Sequence, residues 1–263
     1  MFFGDFMTQP SAALIIIGDE ILSGRTQDKN INALARFLHD RGINLREVRV
    51  IGDQHDRIVT AVQALSGEYD LVFTSGGIGP THDDITTVAI AAAFGVAAIR
   101  HPEADALLIN HYADTDLDYN SSRQKMADIP EGADLIYNPV SAAPGYRIGN
   151  VHVMAGVPKI FDAMLIQVEA MLPDGMQQHR VSVQTALGEG TLAEGLAIIE
   201  ARYNGLSIGS YPWFKPGQYG TAVVVSALDR DDVDKAAADI LELIERLGGS
   251  GTMEDTVTGG NTI

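Results

Sequence analysis

Between residues 12 and 95 short apolar runs alternate with stretches of helical spacing, each long enough to carry the chain back across a sheet. Neighbouring parallel strands need such a crossover, whereas antiparallel neighbours need only a tight turn. The alternation therefore predicts β-α-β units in a parallel sheet with helices on both faces. The apolar runs are 13–17, 45–51 and 70–74. Between them lies a helix over 28–41, with Ile31, Leu34, Ala35 and Leu38 on one face and Gly42 as its stop, and a helix over 55–65. A glycine-rich segment, 75–84, follows the third run and leads into a helix over 85–94.

Further along, a strand at 96–99, helices at 102–111 and 120–127 and an apolar strand at 151–155 are expected. A helix ending near Met171 completes a three-layer α/β/α core over residues 12–172. Pro173, Asp174 and Gly175 mark a boundary. The remainder reads strand 180–186, helix 189–203, strands 206–211 and 219–227, and helix 231–247. That pattern is a small α+β domain over 178–247 with an antiparallel pair. The glycines beyond Leu247 predict a disordered tail over 248–263, and residues 1–10, with three Phe and no basic or long apolar run, read as a tail rather than a signal peptide.

Composition narrows the function classes. Eighteen Lys and Arg against 35 Asp and Glu give a net charge of −17, which opposes the cationic phosphate contacts that nucleic-acid binding requires. The chain has no cysteine, so disulfides, thiolate nucleophiles and Cys-ligated zinc are excluded. No stretch approaches the roughly 20 apolar residues that span a bilayer. A cytoplasmic protein with a small-molecule ligand, and with neither nucleic acid nor membrane as partner, is expected.

Open parallel sheets bind ligands at the carboxyl ends of their strands. Three loops there stand out: Gly18-Asp19-Glu20, the run from Gly76 through Gly77, Gly79, Pro80, Thr81 and His82 to Asp83 and Asp84, and Gly156-Val157-Pro158. If their strands are adjacent, the loops converge. The central loop either cradles a phosphate with backbone amides of Gly76, Gly77 and Gly79 or is plain turn chemistry; it is neither a Walker A motif nor a dinucleotide fingerprint. Asp83 and Asp84 beside it suit a divalent cation, magnesium or a transition metal, that would bridge them to a phosphate. The alternative is Asp84 as a helix N-cap and Asp83 in solvent. Asp19 and Glu20 complete an acidic crevice or merely cap the next element. Asn120 and Arg123, with Gln124 and Lys125, either bind ligand phosphates or form a solvated helix face, and His82 is a proton shuttle or a polar loop residue.

These loops resemble the molybdopterin-binding (MoaB/Mog-like) domain family, in the branch containing the N-terminal domain of competence/damage-inducible protein A and the corresponding domain of eukaryotic FAD synthases. The segment from Gly18 to Gly24 with Thr26, Gln27, Asp28 and Asn30 is similar to the family's first motif, and the segment from Gly76 to Thr86 to its central one. Asn138-Pro139, Ala143-Pro144-Gly145 and Gly156-Val157-Pro158 resemble the later motifs. Residues 209–212 extend the likeness into the second domain. The resemblance implies a three-layer domain that binds a pterin or nucleotide phosphate, with Thr81, Thr86, Pro144, Gly145, Gly156 and Pro158 joining the ligand site. It also implies homo-oligomers and, in this branch, metal-dependent hydrolysis of a pyrophosphate such as FAD or ADP-ribose. The alternatives are a molybdopterin-binding protein of molybdenum cofactor biosynthesis and an inactive regulatory homologue. Two departures stand out: Ser141-Ala142 replaces the common Gly-Thr before Ala-Pro-Gly, and Lys159, Ile160 and Phe161 follow Gly-Val-Pro where many relatives carry a Glu.

Overall fold

The first strand, β1 (Ser11–Ile17), is apolar from Ala12 onward and buried on both faces, as a central strand must be. A computed structural model describes residues 9–113 and 115–255. After β1 come α1 (Asp19–Leu22), α2 (Asn30–His39), β2 (Asn44–Ile51), α3 (His55–Glu68), β3 (Leu71–Ser75), α4 (Thr86–Phe94), β4 (Ala98–Arg100), α5 (Pro102–Ala113) and α6 (Ser121–Gln124). A 3-10 turn (Lys125–Ala127) leads to β5 (Asp128–Pro130), β6 (Asp134–Ile136), β7 (Gly145–Ile148), β8 (Val151–Met154) and α7 (Pro158–Val168).

The main sheet has the order β2-β1-β3-β8-β7-β6. Its first four strands are parallel, β7 runs antiparallel to β8, and β6 runs antiparallel to β7. Because side chains alternate along a strand, Ala13, Ile15 and Ile17 face a core shared with Ile58 and Leu65 of α3, Ile90 of α4 and Leu108 of α5. Ala12, Leu14 and Ile16 face a second core with Leu34 and Leu38 of α2 and Phe161 and Leu165 of α7. Each buried Leu, Ile or Phe side chain among these contributes about 1.5–3 kcal/mol, so the sheet is clamped from both sides in the three-layer arrangement the alternation predicts.

Chain division falls between Gly175 and Met176. The second unit comprises β9 (His179–Thr185), α8 (Glu189–Glu200), β10 (Ser207–Lys215), β11 (Gln218–Ala227), α9 (Arg230–Arg246) and β12 (Gly251–Asp255), with sheet order β10-β11-β9-β12, antiparallel throughout. Val181, Val183, Val223 and Val225 pack under Leu192 and Leu196 of α8 and Ile240 and Ile244 of α9. On the edge strand β10, the Ile208 N–H is taken by the Glu200 carboxylate at 2.9 Å, and Pro212, four residues on and in the same phase, has no N–H to offer.

Several expectations are corrected. The tail is not wholly irregular: residues 251–255 pair with β9 along its free edge. The strand lacks an apolar face of its own but completes the ladder, and a Cβ at Gly251 would sit 2.8 Å from Leu241, so glycine lets it lie close to α9. Positions 256–263 of the expected tail, like residues 1–8 at the start, lie outside the described residues. The run at 96–99 becomes β4, which among the described residues pairs only with β5 and lies outside the main sheet. The expected helix at 120–127 breaks after Gln124 into a single 3-10 turn. Among the described residues no helix is long and apolar enough to cross a membrane.

Candidate functional site

Strands β2, β1, β3 and β8 are consecutive and parallel, so the segments that follow them leave one edge of the sheet. Backbone bonds knit those segments together: Gly18 N–H to the Ile51 carbonyl at 3.1 Å, and Gly76 N–H to the Met154 carbonyl at 3.1 Å. The buried Asn30 amide donates to Ser75 Oγ and to the Gly156 carbonyl, both at 2.8 Å. Gly76 and Gly77 have φ of 111° and 70°, a region that side chains disfavour. Gly156 approaches so closely that a Cβ on it would lie 3.2 Å from the Gly76 Cα.

The result is a cavity of about 540 Å³ with several glycines in its lining. Gly76, Gly77, Gly79, Thr81, Gly156 and Pro158 all line it. Among the described residues its charged lining is entirely acidic: Glu20, Asp53, Asp83 and Asp84. Asp53 was not among the candidates from sequence. Its Oδ2 accepts the Asp19 backbone N–H at 2.9 Å. Burial holds its carboxyl above the usual range, the bond from Asp19 opposes this, and the charges of Asp19, Glu20 and Asp83 add to the rise. A readable signal existed, because Ile51-Gly52-Asp53 repeats the strand-Gly-Asp pattern of Ile17-Gly18-Asp19. The Asp19 carboxylate, itself exposed, rests against Gly52, where a Cβ would collide with it.

Asp84 is not an N-cap. Helix α4 begins at Thr86 behind Ile85, and Asp84 Oδ2 instead accepts the Thr81 backbone N–H at 2.8 Å and the Thr81 hydroxyl, closing the tip of the loop on itself. Asp83 is more exposed and is held below the usual carboxylate range, chiefly by the nearby Thr81 hydroxyl, whose geometric hydrogen bond goes to Asp84, and then by its own backbone N–H, with smaller effects from His82 and Lys125. Thr86 is buried; its hydroxyl donates to the Gly76 carbonyl and its N–H to the Gly77 carbonyl, each at 3.0 Å. It therefore braces the root of the loop.

Asn120 and Arg123 lie apart from the acidic cavity. They line a second pocket of about 450 Å³ with Ser122 and His82, which shares Pro80 and Thr81 with the first. Asn120 Oδ1 caps α6 through the Arg123 N–H at 3.1 Å. The Arg123 guanidinium donates to the Asp118 carbonyl and lies 5.0 Å from the Tyr112 ring centroid. Pro144 and Gly145 are buried at the start of β7; the neighbouring Asn138, Ser141 and Ala143 reach the cavity instead. Of the residues after Gly-Val-Pro, Ile160 lines the cavity and Phe161 is core.

The donor set suits a hard divalent cation, since crowded carboxylates raise one another's affinity for positive charge. Among the described residues, however, no three His, Asp or Glu side chains form a group able to hold a metal ion alone. Oxygen atoms of a bound ligand would have to complete its coordination, as is common for magnesium with phosphates.

Residues 13–174 match the family described as probable molybdopterin binding domain, and residues 177–247 match the FAD synthase middle domain. A probable FAD synthase of Caenorhabditis briggsae is 29% identical over 89% of this chain and 49% of its own length. A protein of Archaeoglobus fulgidus is 31% identical over 88% of this chain and 96% of its own. The crystal structure of CinA from Thermoplasma acidophilum, a protein of unknown function, is 36% identical, with a TM-score of 0.58 over 62% of this chain and 98% of that one. The chain spans about half the length of the curated FAD synthases that it matches.

Proposed function

Because this chain belongs to the molybdopterin-binding-domain family and carries a FAD synthase middle domain behind it, we propose that it is a divalent-metal-dependent nucleotide pyrophosphatase acting on a compound such as FAD or ADP-ribose. The observation that carries this reading is the cavity itself, lined by Gly76, Gly77, Gly79 and Gly156 and, among the described residues, by four carboxylates with no Lys or Arg. An anionic ligand faces strong repulsion there unless a cation accompanies it. Relatives named as FAD synthases support a flavin dinucleotide or a related diphosphate as the substrate class.

In this reading Gly77 and Gly79 hold the diphosphate through backbone N–H groups, with Thr81 and Gly156 at its margins; the Gly76 N–H is taken by the Met154 carbonyl, so Gly76 shapes the cradle without donating to it. Asp83 and Asp84, together with oxygens of the ligand, would hold the metal, which would neutralise the phosphate oxygens and polarise the anhydride, and Glu20 would add its charge to the same wall. Water attacks one phosphorus, the bridging P–O bond breaks, and two monophosphates leave. Asp53 would take the proton of the attacking water at Oδ1, since Oδ2 is occupied by Asp19 and its raised pKa favours accepting one. Asn120 and Arg123, across Pro80 and Thr81, would receive the distal part of the ligand.

The test is release of AMP from FAD and from ADP-ribose by the purified chain with magnesium, manganese or cobalt, and its loss with a chelator. No release from either compound with any of the three metals rejects the hydrolase. A second reading, a molybdopterin-binding protein that hydrolyses nothing, is favoured by the lack of three gathered metal-holding side chains among the described residues. A pterin carried through purification would support it.

A further inference from the structure

The central loop is fastened at two places by its own neighbourhood. Thr86 braces the root at Gly76 and Gly77, and Asp84 folds the tip back on Thr81. Neither bond fixes the tip relative to the rest of the domain. One bond does. Nζ of Lys125, in the 3-10 turn after α6 and 44 positions further along the chain, donates to the Thr81 carbonyl at 2.8 Å. Among the described residues it is the only hydrogen bond joining residues 80–84 to another segment.

We propose that Lys125 is the positioning residue of this site: its ammonium latches the Thr81 carbonyl and so fixes the direction in which Asp83 and Asp84 present their carboxylates. Thr81 is thereby held at all its polar atoms, with N and Oγ1 on Asp84 and O on Lys125. A bond from a charged donor is stronger than a neutral one, and only a long side chain can reach across from α6. The Lys125 ammonium has no carboxylate at ion-pair distance among the described residues, so its charge is not spent on a salt bridge and also acts on Asp83. Thr81 borders both pockets, which places the latch on the wall between the diphosphate cradle and the pocket of Arg123. This inference rests on the hydrolase reading for its effect on turnover, but not for its effect on the loop.

The test compares Lys125→Met and Lys125→Arg with the unaltered chain. Amide hydrogen exchange over residues 79–85 is followed in ligand-free protein, and AMP release from ADP-ribose is followed with magnesium chloride. Lys125→Met is expected to speed exchange in this segment about tenfold, the opening expected when one charge-assisted bond is lost, without lowering the melting temperature. It is also expected to lower kcat about tenfold with KM nearly unchanged, the signature of a misaimed group. Lys125→Arg should restore both. Unchanged exchange in Lys125→Met overturns the latch. Faster exchange with an unaltered kcat overturns the positioning role. If the unaltered chain releases no AMP, the hydrolase reading fails on its own, and the exchange comparison still decides whether Lys125 holds the loop.

Discussion

Asp53 Oδ2 accepts the backbone N–H of Asp19 at 2.9 Å, so the segments after two adjacent strands meet through a carboxylate that the folded chain makes costly to ionise. Folding raises its pKa, so the charged form that prevails at neutral pH works against stability. Asp53→Asn keeps an oxygen for the Asp19 N–H and removes that charge. The melting temperature at pH 8 should stay level or rise, while turnover of ADP-ribose falls roughly 100-fold, equivalent to about 2.7 kcal/mol of transition-state stabilisation. Undiminished turnover would remove Asp53 from the chemistry.

The two adjacent aspartates should separate. Asp83 borders the cavity with its carboxylate half-exposed, whereas Asp84 Oδ2 is committed to Thr81. Asp83→Asn should leave loop exchange unchanged and raise the metal concentration needed for half-maximal turnover. Asp84→Ala should loosen residues 79–85, measurable as faster amide exchange. Identical behaviour of the two variants in both measurements would contradict this division.

His152 on β8 is 1% exposed and stacks on Phe73 with ring centroids 5.0 Å apart, and among the described residues neither ring nitrogen meets a partner in good hydrogen-bond geometry. Burial pushes its pKa down to about 4. The unfolded chain, with a His pKa near 6.5, therefore binds the extra proton first as pH falls. This contribution is complete above about pH 6.5 and is lost progressively toward pH 4, by about 3 kcal/mol in all. Denaturant midpoints between pH 7 and 4.5 should drop less steeply in His152→Leu than in the unaltered chain; parallel slopes would show that the ring carries none of this dependence.

Removing residues 251–263 takes away β12 and leaves the free edge of β9 unpaired. At about 0.5–1.5 kcal/mol net for each ladder bond, the second unit should lose about 2–4 kcal/mol. Chemical denaturation of the shortened chain measures it, and an unchanged midpoint would mean that the pairing adds nothing.

The layers of the first unit were legible because each rests on a periodicity carried by one segment: β1 is continuously apolar, and α2 buries Leu34 and Leu38 four apart. Strands β5, β6 and β7 have only three or four residues, too few to show a period. β12 owes its existence to a partner some 70 residues earlier. The same distinction holds at the site. Convergence of the three glycine loops followed from strand adjacency, and Asp53 could have been found from its Gly-Asp context. The bond from Lys125 to Thr81 could not, because it depends on how α6 is carried back to the sheet edge. Asp84 looked like a cap because carboxylates before helices commonly are; the helix here starts two residues later, and the side chain turns to Thr81 instead.

The occupied Ile208 N–H and the proline at 212 leave β10 a poor template for another strand. A visiting peptide would find one donor already taken and one missing within two turns of the pleat. The second sheet can therefore be crowded against copies of itself, at high expression or during concentration, with little tendency to zip edge to edge into fibrils along this side.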